Sequence, residues 1–599
     1  MIAKFWLLGR CEALIKRTLR PSVPATVLAV VFFWGFGFLA AARAAAPAPA
    51  WPSFNPYLAR EYNNQSHWND AATDSTTIAV PRGHYRVTPG SYDWIPGETL
   101  GIPAYGARVR GREVVWFFTG TMLRKFIREP SGFREIARRA IRHELPDYAP
   151  LTDEQRRVQA RDLKSLLEAH DEQGVIDYVA RQPNRMASAV EDQVAQGVLY
   201  SLLTVDHAFV GANARGLLRI DQEDAANPES GLREPLQVTL PDELFDDAKA
   251  RKYTIFQTDS VFGLGMSFNG YLVINTVGGV IATLDRRTLK LIDVYRSPGA
   301  DEVITNSFAT SDEAGGGAIY VASNRNMYRF VIDRRGRIRT DERSGAWSAA
   351  YDVGMRLPVG KISDGTGATP TLTGFGRGED KLVVLTDGRR KMRLVAFWRD
   401  RIPKNFTPPP GAESPRIADQ IEVDLGPQWS TVQSEQSVVA YGPYAFVLNG
   451  IPDPAAPPLK VRGSYVRGLL SGYTRPLPRG IAMFRWDSVA HRWQALWHRS
   501  DVGTVATVPM ISGASRMVIV NGSFGDRLGE MYHLGFDLDD GALVMSIASG
   551  ADPLFNGAFT GIKCDRDGSL MYTTVLGLVR FEVAKMAPAS SPDPQMRKN

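Results

Sequence analysis

Cysteine is nearly absent from this chain of 599 residues, which contains only Cys11 and Cys564. Cys11 precedes an apolar segment and Cys564 lies near the other end of the chain, so we expect no intramolecular disulfide after processing. No CxxCH motif is present, which excludes a covalently attached c-type haem. No Cys and His residues have the spacing of a zinc site.

The chain also has few histidines and a small net charge. The eight histidines are scattered, and only His491 and His498 lie close together, around a predicted outer strand. The net charge of +6 comes from scattered basic residues, so we expect no nucleic-acid partner. The chain has no GxSxG elbow or Walker loop, and the run Gly263 to Gly270 lacks the βαβ context of a dinucleotide fingerprint.

What the chain does have is a repeated hairpin, in which two alternating apolar strands flank a tight turn with Gly or Asn. Seven copies recur roughly every 50–65 residues, the spacing of a radial array of small sheets. The copies span 208–221, 271–285, 318–333, 381–399, 444–487, 516–537 and 569–583. The sequence therefore predicts an all-β protein, a β-propeller with seven blades favoured and six or eight as alternatives.

The N-terminus indicates export. Basic residues precede the uncharged apolar run Val23 to Ala42, and small residues with an A-x-A pattern follow it. We favour a cleaved signal peptide, and the alternative is an uncleaved membrane anchor, because the run approaches the length needed to cross a bilayer. Either form places the protein in the periplasm or outside the cell, with membrane association through this segment in the second case.

The rest of the chain divides by composition. Apolar residues at three- and four-residue spacing in 121–203 predict helices, and Thr152 with Gln155 predicts a capping box. The strand at Glu113 to Phe118 is a candidate for closing the ring, and the polar run His67 to Asp70 is expected to form a surface turn. The predicted parts are a signal peptide or anchor (1–46), an extended segment (47–120), a helical insert packed on the propeller (121–203), the propeller (204–587) and a disordered tail (588–599).

A short polar stretch precedes most of the hairpins, where the innermost strand of a blade would begin at the mouth of the central channel. Carboxylate and amide oxygens from several blades would suit a hard divalent cation such as calcium. The same residue types also satisfy turn backbone, which is the alternative explanation at each position. The candidate metal ligands are Asn306, Asp364, Glu435 and Asn556, with Asp259 as a weaker candidate.

The runs NSFATSD (306–312), AIYVASNRNMYRF (318–330) and SDGTGATPTLTGFGRGEDKLVVLTDG (363–388) resemble bacterial exported propellers of the quinoprotein-like and strictosidine-synthase/gluconolactonase-like group. The resemblance covers about 256–583. Its lactonase-like branch implies one divalent ion in the channel, and Asn306, Asp364, Glu435 and Asn556 are the positions that match. Its quinoprotein branch implies pyrroloquinoline quinone with calcium, but the vicinal cysteines and tryptophan-docking motif of that branch are absent here.

Three functions follow as hypotheses. The first is an exported propeller that binds a small organic substrate over a metal-bearing channel, with lactone or ester hydrolysis as its reaction. The second is a quinoprotein oxidoreductase. The third is a non-catalytic scaffold of the cell envelope that binds a protein partner. Since one propeller frame supports many functions, the sequence leaves the choice between enzyme and scaffold open.

Overall fold

The computed structural model describes residues 49–65, 67, 70–97, 101–141, 147–196, 198, 200–357, 360–452, 463–525, 527–557 and 560–594. The predicted signal peptide or membrane anchor (1–46) lies outside these residues. Within the described ranges, no helix is both long and apolar enough to span a membrane.

The described strands divide into eight successive antiparallel units of four or five strands, and units 6 and 7 are joined in one larger sheet by the pairing of Arg492–Thr504 with Met517–Phe524. The first four units comprise the following strands. Unit 1 has Ala104–Val109, Arg112–Phe118, Met122–Glu129 and Gly132–Ala140; unit 2 has Ser201–Leu203, Phe209–Asn213, Gly216–Ile220 and Leu236–Thr239; unit 3 has Val261–Met266, Tyr271–Thr276, Val280–Asp285 and Leu291–Arg296; unit 4 has Ala309–Ser311, Ala318–Ala322, Asn326–Ile332 and Trp347–Ala350, with Ile338–Arg339 on the same edge.

The last four units continue this order and end with a strand from the N-terminal part of the chain. Unit 5 has Thr371–Thr373, Leu382–Thr386, Arg393–Trp398 and Ile417–Glu422; unit 6 has Val439–Tyr441, Tyr444–Leu448, Arg479–Asp487 and Arg492–Thr504; unit 7 has Met510–Ser512, Met517–Phe524, Met531–Asp537 and Leu543–Gly550; unit 8 has Ile562–Cys564, Leu570–Thr574, Gly577–Phe581 and Tyr92–Pro96.

The units are arranged as a ring, because neighbouring units share strand contacts or a common apolar cluster, and unit 8 contacts unit 1 through Tyr92–Pro96 and Gly132–Ala140. The first strand of each unit bonds to described residues between Asn55 and Asp74, which places these strands around the hub. Apolar clusters fill the spaces between neighbouring units. This is a β-propeller, as the hairpin repeats predict. The sequence favours seven blades and the described strands form eight units, so the blade number stays a prediction.

The ring is closed by a strand that the sequence analysis did not single out. Tyr92–Pro96 pairs antiparallel with Gly577–Phe581, with Trp94 opposite Val579. Glu113–Phe118 is a strand as predicted, but it pairs inside unit 1 rather than with the C-terminal sheet. The N-terminal segment therefore supplies the outer strand of the last unit, which joins the two ends of the array.

The segment from Trp51 to Val80 runs through the hub. Its backbone bonds to the inner strands of five units, through Ala59 N–H to Leu203 O (2.8 Å), Thr310 N–H to Asp70 O (2.6 Å), Leu372 N–H to Ala71 O (2.9 Å), Ala440 N–H to Thr73 O (2.8 Å) and Ile511 N–H to Asp74 O (3.0 Å). Asn63–Asn64 pairs with Ser75–Thr76, which in turn pairs with Met510–Ser512 of unit 7. We call residues 51–80 the hub segment.

The predicted helical insert is correct for its second half and wrong for its first. Met122–Glu129 and Gly132–Ala140 are the outer strands of unit 1. Pro130 interrupts any helix at this point, and Gly132, at φ +116°, closes a hairpin instead. The spacing of the apolar residues alone could not distinguish the two structures.

Helices begin at Asp153. Asp153–Glu168 has the predicted capping box, in which Gln155 N–H donates to Thr152 Oγ1 (3.2 Å) and Thr152 N–H donates to Gln155 Oε1 (2.8 Å). Leu163 and Leu167 are buried in a cluster that also contains the strand residues Met531 of unit 7 and Leu570 of unit 8, so these helices pack on the propeller as expected. The other helices are Glu172–Ala180, Ala189–Gln196, Asp247–Tyr253, Ser464–Leu470 and a turn at Glu313–Gly316, with short 3₁₀ segments at Met186–Ser188, Asp242–Leu244, Glu342–Ser344, Pro553–Phe555 and Val583–Lys585.

The C-terminal tail is ordered up to residue 594, contrary to the prediction of disorder from 588. Ala587–Pro588 pairs with Gly83–Arg86, which is itself paired with Leu543–Gly550. Asp593 is 3% exposed and forms an ion pair with buried Arg499. The tail is polar in composition, which predicted disorder and gave no sign of this anchor.

Candidate functional site

The candidate site lies at the mouth of the hub where the inner strands of units 2 to 6 begin. The loop Lys361–Thr369, which leads into unit 5, is its centre. Asn306 from unit 4 donates through Nδ2 to Gly367 O (2.6 Å), and its Oδ1 accepts from the Tyr200 hydroxyl of unit 2 (2.9 Å). One amide side chain of unit 4 thus connects Tyr200 of unit 2 to the loop that leads into unit 5.

Glu435 reaches the same loop from unit 6. Its carboxylate lies so close to Gly367 that a Cβ there would stand 1.5 Å from Oε2, so only glycine fits. Lys361 Nζ lies 2.7 Å from Glu435 Oε1 and donates to Gly365 O (3.0 Å). We call Tyr200, Asn306, Lys361, Gly367 and Glu435 the Gly367 cluster.

The electrostatics of this cluster are dominated by burial. The Lys361 side chain is 1% exposed and that of Glu435 is 19% exposed. Desolvation raises the pKa of Glu435, and the neighbouring Lys361 ammonium offsets part of that rise. A carboxylate with a raised pKa can accept a proton more readily than an ordinary surface glutamate, which suits a general base.

His67, a residue of the hub segment, contacts the Gly367 cluster. Its ring stacks on Tyr200 at a centroid distance of 4.8 Å, and its Nδ1 lies 2.9 Å from Thr369 Oγ1. Burial lowers the pKa of His67 to about 3, so the ring is neutral at ordinary pH. The predicted surface turn at 67–70 is wrong where the structure describes it, because Asp70 is buried in the hub. Trp68 and Asn69 lie outside the described residues.

The other predicted metal ligands bond to protein groups outside the Gly367 cluster. Asp364 accepts from Asn324 Nδ2 (2.8 Å) and pairs with Arg325 (2.9 Å). Asn556 donates through Nδ2 to Gly468 O (2.8 Å).

Asp259 stabilises a turn by accepting from the Gly278 and Asp246 N–H groups (2.9 Å each). Burial raises its pKa to about 6.

These contacts do not fit a calcium site at Glu435. Lys361 Nζ occupies the position beside Oε1 where a bound cation would lie, and Asn306 Oδ1 already accepts from Tyr200. Among the described residues, no three His, Cys, Asp or Glu side chains are grouped as metal ligands. The structure brings Asn306 and Glu435 together around Gly367, while calcium itself stays a prediction.

Sequence reasoning missed Lys361, Gly367, His67 and Tyr200. Lys361 and Gly367 flank Asp364, which was predicted as a metal ligand. The small residues of the loop that contains all three were the sequence signal that could have pointed to them. Tyr200 and His67 are distant in sequence from the loop and meet it only through ring closure. The paired histidines stay outside the site, since His491 Nδ1 contacts Asp380 Oδ2 (2.8 Å) and His498 lies on the exposed outer strand of unit 6.

The fold and this cluster define a β-propeller with a polar hub mouth, which confirms the coarse part of the resemblance. A comparison with protein-family models finds no match. An uncharacterised protein of Archaeoglobus fulgidus is 26% identical over 334 residues, which cover 54% of this chain and 61% of that protein. The chain thus spans less than two thirds of that relative's length.

Solved propellers are similar at lower identity. The Cps50 (Swd1) β-propeller domain of Myceliophteria thermophila has a TM-score of 0.33 at 11% identity and covers 62% of this chain and 91% of its own. BamB from Moraxella catarrhalis has a TM-score of 0.31 at 14% identity, with 63% and 94% covered. Saccharomyces cerevisiae Sqt1 has a TM-score of 0.37 at 10% identity, with 64% and 81% covered. None of these values carries an argument about function.

Proposed function

We propose that this chain is an exported β-propeller that binds a small polar organic molecule at the Gly367 cluster. The observation that carries the proposal is the Glu435 carboxylate, held against Gly367 with Lys361 as its counter-ion at 2.7 Å. Burial of two charges carries a desolvation cost that their mutual attraction offsets only in part, so a pair kept at such a place suits a functional role better than a stabilising one. Because side chains from units 2, 4, 5 and 6 meet there, the cluster can contact a ligand from several sides.

Hydrolysis of a lactone or ester is the reaction we assign to this cluster. Glu435, with its raised pKa, takes a proton from an attacking water, and Lys361 stabilises the negative charge that develops on the carbonyl oxygen. The carbon–oxygen ester bond then breaks, and the proton passes to the leaving alkoxide. The products are a carboxylic acid and an alcohol, joined in one molecule when the substrate is a lactone.

The test uses the purified chain with γ-butyrolactone, δ-gluconolactone and 4-nitrophenyl acetate, followed by acid release or absorbance. We expect turnover that Glu435→Gln lowers by about 100-fold or more, with an unchanged far-UV spectrum. Asp364→Asn is the control, because Asp364 faces Arg325 rather than the cluster. Full activity in Glu435→Gln, or no turnover of any of the three, would remove the hydrolase assignment.

Metal content is a separate measurement. Elemental analysis of the purified chain, with thermal unfolding in chelator, decides the calcium prediction. Because Lys361 already neutralises Glu435, we expect the Gly367 cluster to keep its geometry in chelator. Dye reduction after addition of pyrroloquinoline quinone and calcium tests the oxidoreductase alternative in the same preparation.

A second candidate function is a partner-binding scaffold of the cell envelope. The hub segment favours it, because Asn63 and Gln65 donate to the backbone of unit 8, and Asn64 and Asp70 accept bonds inside the segment rather than facing solvent. A hub filled by its own chain leaves the outer faces as binding surfaces. Recovery of one stoichiometric partner after cross-linking, undiminished in Glu435→Gln, would favour the scaffold over the hydrolase.

A further inference from the structure

Two outer turns of neighbouring units carry the same basic motif. The turn after the third strand of unit 3 reads Asp-Arg-Arg-Thr-Leu-Lys (285–290), and the corresponding turn of unit 4 reads Asp-Arg-Arg-Gly-Arg (333–337). Each turn has three cationic side chains and one carboxylate, a net charge of +2. The corresponding turn of unit 7 has Asp537, Asp539 and Asp540 instead, so the basic motif is confined to one part of the ring.

The carboxylates of the two basic turns bond to the backbone. Asp285 Oδ1 accepts from Arg287 N–H (3.0 Å), and Asp333 Oδ1 accepts from the N–H groups of Arg335 (2.8 Å) and Arg337 (3.0 Å). The cationic side chains are left to solvent. Within the described ranges, five of them are exposed and form neither an ion pair nor a side-chain hydrogen bond, namely Arg287, Lys290, Arg334, Arg335 and Arg337.

The two turns lie side by side. Gly336, at φ +77°, packs so closely on unit 3 that a Cβ there would stand 2.8 Å from the Tyr271 ring and 3.1 Å from Ile292. Gly336 O accepts from Thr283 Oγ1 (2.6 Å), and Arg334 O accepts from the Tyr271 hydroxyl (2.9 Å). Basic residues that are distant in the sequence therefore form one surface. We call Arg287, Lys290, Arg334, Arg335 and Arg337 the basic edge.

An apolar side chain and the start of the hub segment adjoin the basic edge. Leu291 follows Lys290 and is 37% exposed. Arg286 lies over the Tyr57 ring at 4.6 Å, so the hub segment reaches the same part of unit 3. In the sequence, the hub segment follows the predicted signal peptide or anchor (1–46) within a few residues.

We propose that the basic edge docks on a membrane surface that contains anionic phospholipid. Exposed Lys and Arg side chains near such a surface each add favourable free energy, and five of them without carboxylate partners act together. Leu291 supplies an apolar contact beside them, and this combination is typical of a surface that lies at a bilayer interface. The predicted export segment would bring the chain to a membrane. The proposal is independent of the function assigned to the Gly367 cluster.

The test is co-sedimentation with lipid vesicles of a chain that starts at residue 49. This chain keeps the compact unit Ala50–Asn599 and lacks the apolar run, which would itself enter the bilayer. Vesicles of phosphatidylcholine are compared with vesicles that contain about one third phosphatidylglycerol. We expect binding to the anionic vesicles to be tighter by about 10-fold or more, and to be lost in about 1 M salt, where the Debye length is about 3 Å. Equal binding to the two kinds of vesicle overturns the proposal.

Two pairs of substitutions locate the contact. Arg335→Gln with Arg337→Gln removes two charges and keeps the backbone bonds of the turn, so binding to anionic vesicles should weaken by about 10-fold or more. Arg251→Gln with Arg356→Gln is the matched control, because both side chains are exposed and lie outside the basic edge. Equal weakening by the two pairs would mean that binding follows net charge alone, which excludes the basic edge.

Nucleic acid is the competing polyanion. Duplex DNA, followed by fluorescence anisotropy in the same buffer, should show no binding at protein concentrations that saturate the anionic vesicles. Binding of DNA in that range, weakened by Arg335→Gln with Arg337→Gln, would assign the basic edge to nucleic acid and overturn the proposal. If the shortened chain does not fold, the full chain with Val30→Asp and Phe33→Asp replaces it, and the ratio of binding with and without the two arginine substitutions decides the question.

Discussion

At the scale of single residues, this propeller tolerates ionisable groups in places that water does not reach. His533 is the clearest case. It is 0% exposed, packs against Tyr572 (4.4 Å) and Phe581 (5.1 Å), and has both ring nitrogens without a partner among the described residues. Burial lowers its pKa to about 3. The neutral ring is therefore required for the native packing.

His533→Leu should make the chain less sensitive to acid. A histidine whose folded pKa lies below 6.5 contributes full stability above that pH and loses it as the pH falls toward 3. At about pH 5 this loss is about 2 kcal/mol, which His533→Leu does not suffer. Urea unfolding at about pH 8 and pH 5 measures the difference. The exposed His498→Leu is the control, and an equal acid loss in His533→Leu and wild type would contradict the prediction.

Gly367→Ala should displace Glu435. A Cβ at this position would stand 1.5 Å from Glu435 Oε2 and 2.1 Å from its Cδ, so the carboxylate must leave the loop. We expect a loss of about 1–3 kcal/mol in the free energy of unfolding. Gly450→Ala is the matched control, because its nearest neighbour would be 3.7 Å away. Equal stability of the two variants in urea would mean that Glu435 has room to move.

At the scale of elements, the two ends of the chain hold the ring together. Tyr92–Pro96 completes unit 8, the hub segment bonds to inner strands around the channel, and Ala587–Pro588 pairs with Gly83–Arg86. Each of these elements is short and polar or irregular in sequence. Their stability comes from pairing with distant strands, which offsets the entropy of fixing them.

Removal of the hub segment and of Tyr92–Pro96 should strongly lower the Tm or abolish cooperative folding. Ala50–Asn599 is one compact unit, so a chain that starts at residue 49 should melt at the temperature of the full chain. A chain that starts at residue 101 lacks the hub segment and the outer strand of unit 8. We expect its Tm to be lower by about 10 °C or more, or no transition at all. Circular dichroism checks this, and equal melting of the two chains would contradict the role of these elements.

The ordered tail makes a second prediction at this scale. Arg499 pairs with Asp593 at 3.0 Å and with Asp501 at 2.8 Å, and its side chain is 6% exposed. Asp593→Asn leaves a buried guanidinium with one carboxylate, so we expect a loss of about 1–3 kcal/mol. Asp539→Asn, which breaks the exposed pair with Arg516, should cost under about 1 kcal/mol. Urea unfolding measures both losses. Equal losses in free energy of unfolding for the two variants would mean that the pair of Asp593 and Arg499 does not anchor the tail.

At the scale of the whole molecule, the open question is where the chain works. The basic start and apolar run of residues 1–42 predict export, and cleavage after the A-x-A pattern would release the compact unit. A periplasmic location would bring the proposed site at Lys361 and Glu435 into contact with small molecules from outside the cytoplasm.

A fusion of residues 1–60 to alkaline phosphatase tests export directly, because this enzyme gains activity only where its disulfides form. We expect activity in the fusion and its loss in Val30→Asp with Phe33→Asp, which interrupts the apolar run. The mass of the full chain from the same cells then separates cleavage from anchoring. Activity equal to that of an unfused cytoplasmic phosphatase would contradict export.

The sequence by itself determined the elements whose causes are local. Alternation of apolar residues and turn glycines specified the hairpins and hence the propeller, and Thr152 with Gln155 specified the start of a helix. The sequence also pointed to Asn306 and Glu435 of the Gly367 cluster, because strand entries of a propeller converge at the hub, while their role as metal ligands stays a prediction.

Only the tertiary structure decided the remainder. Met122–Ala140 has a spacing that fits a helix, yet it forms strands because Arg112–Phe118 offers it an edge. Lys361 and Tyr200 reach the site, and Asp593 reaches Arg499, through contacts between residues far apart in the chain. Such contacts depend on how the ring closes. Periodicity and turn residues carry no record of that closure, since they act over only a few residues.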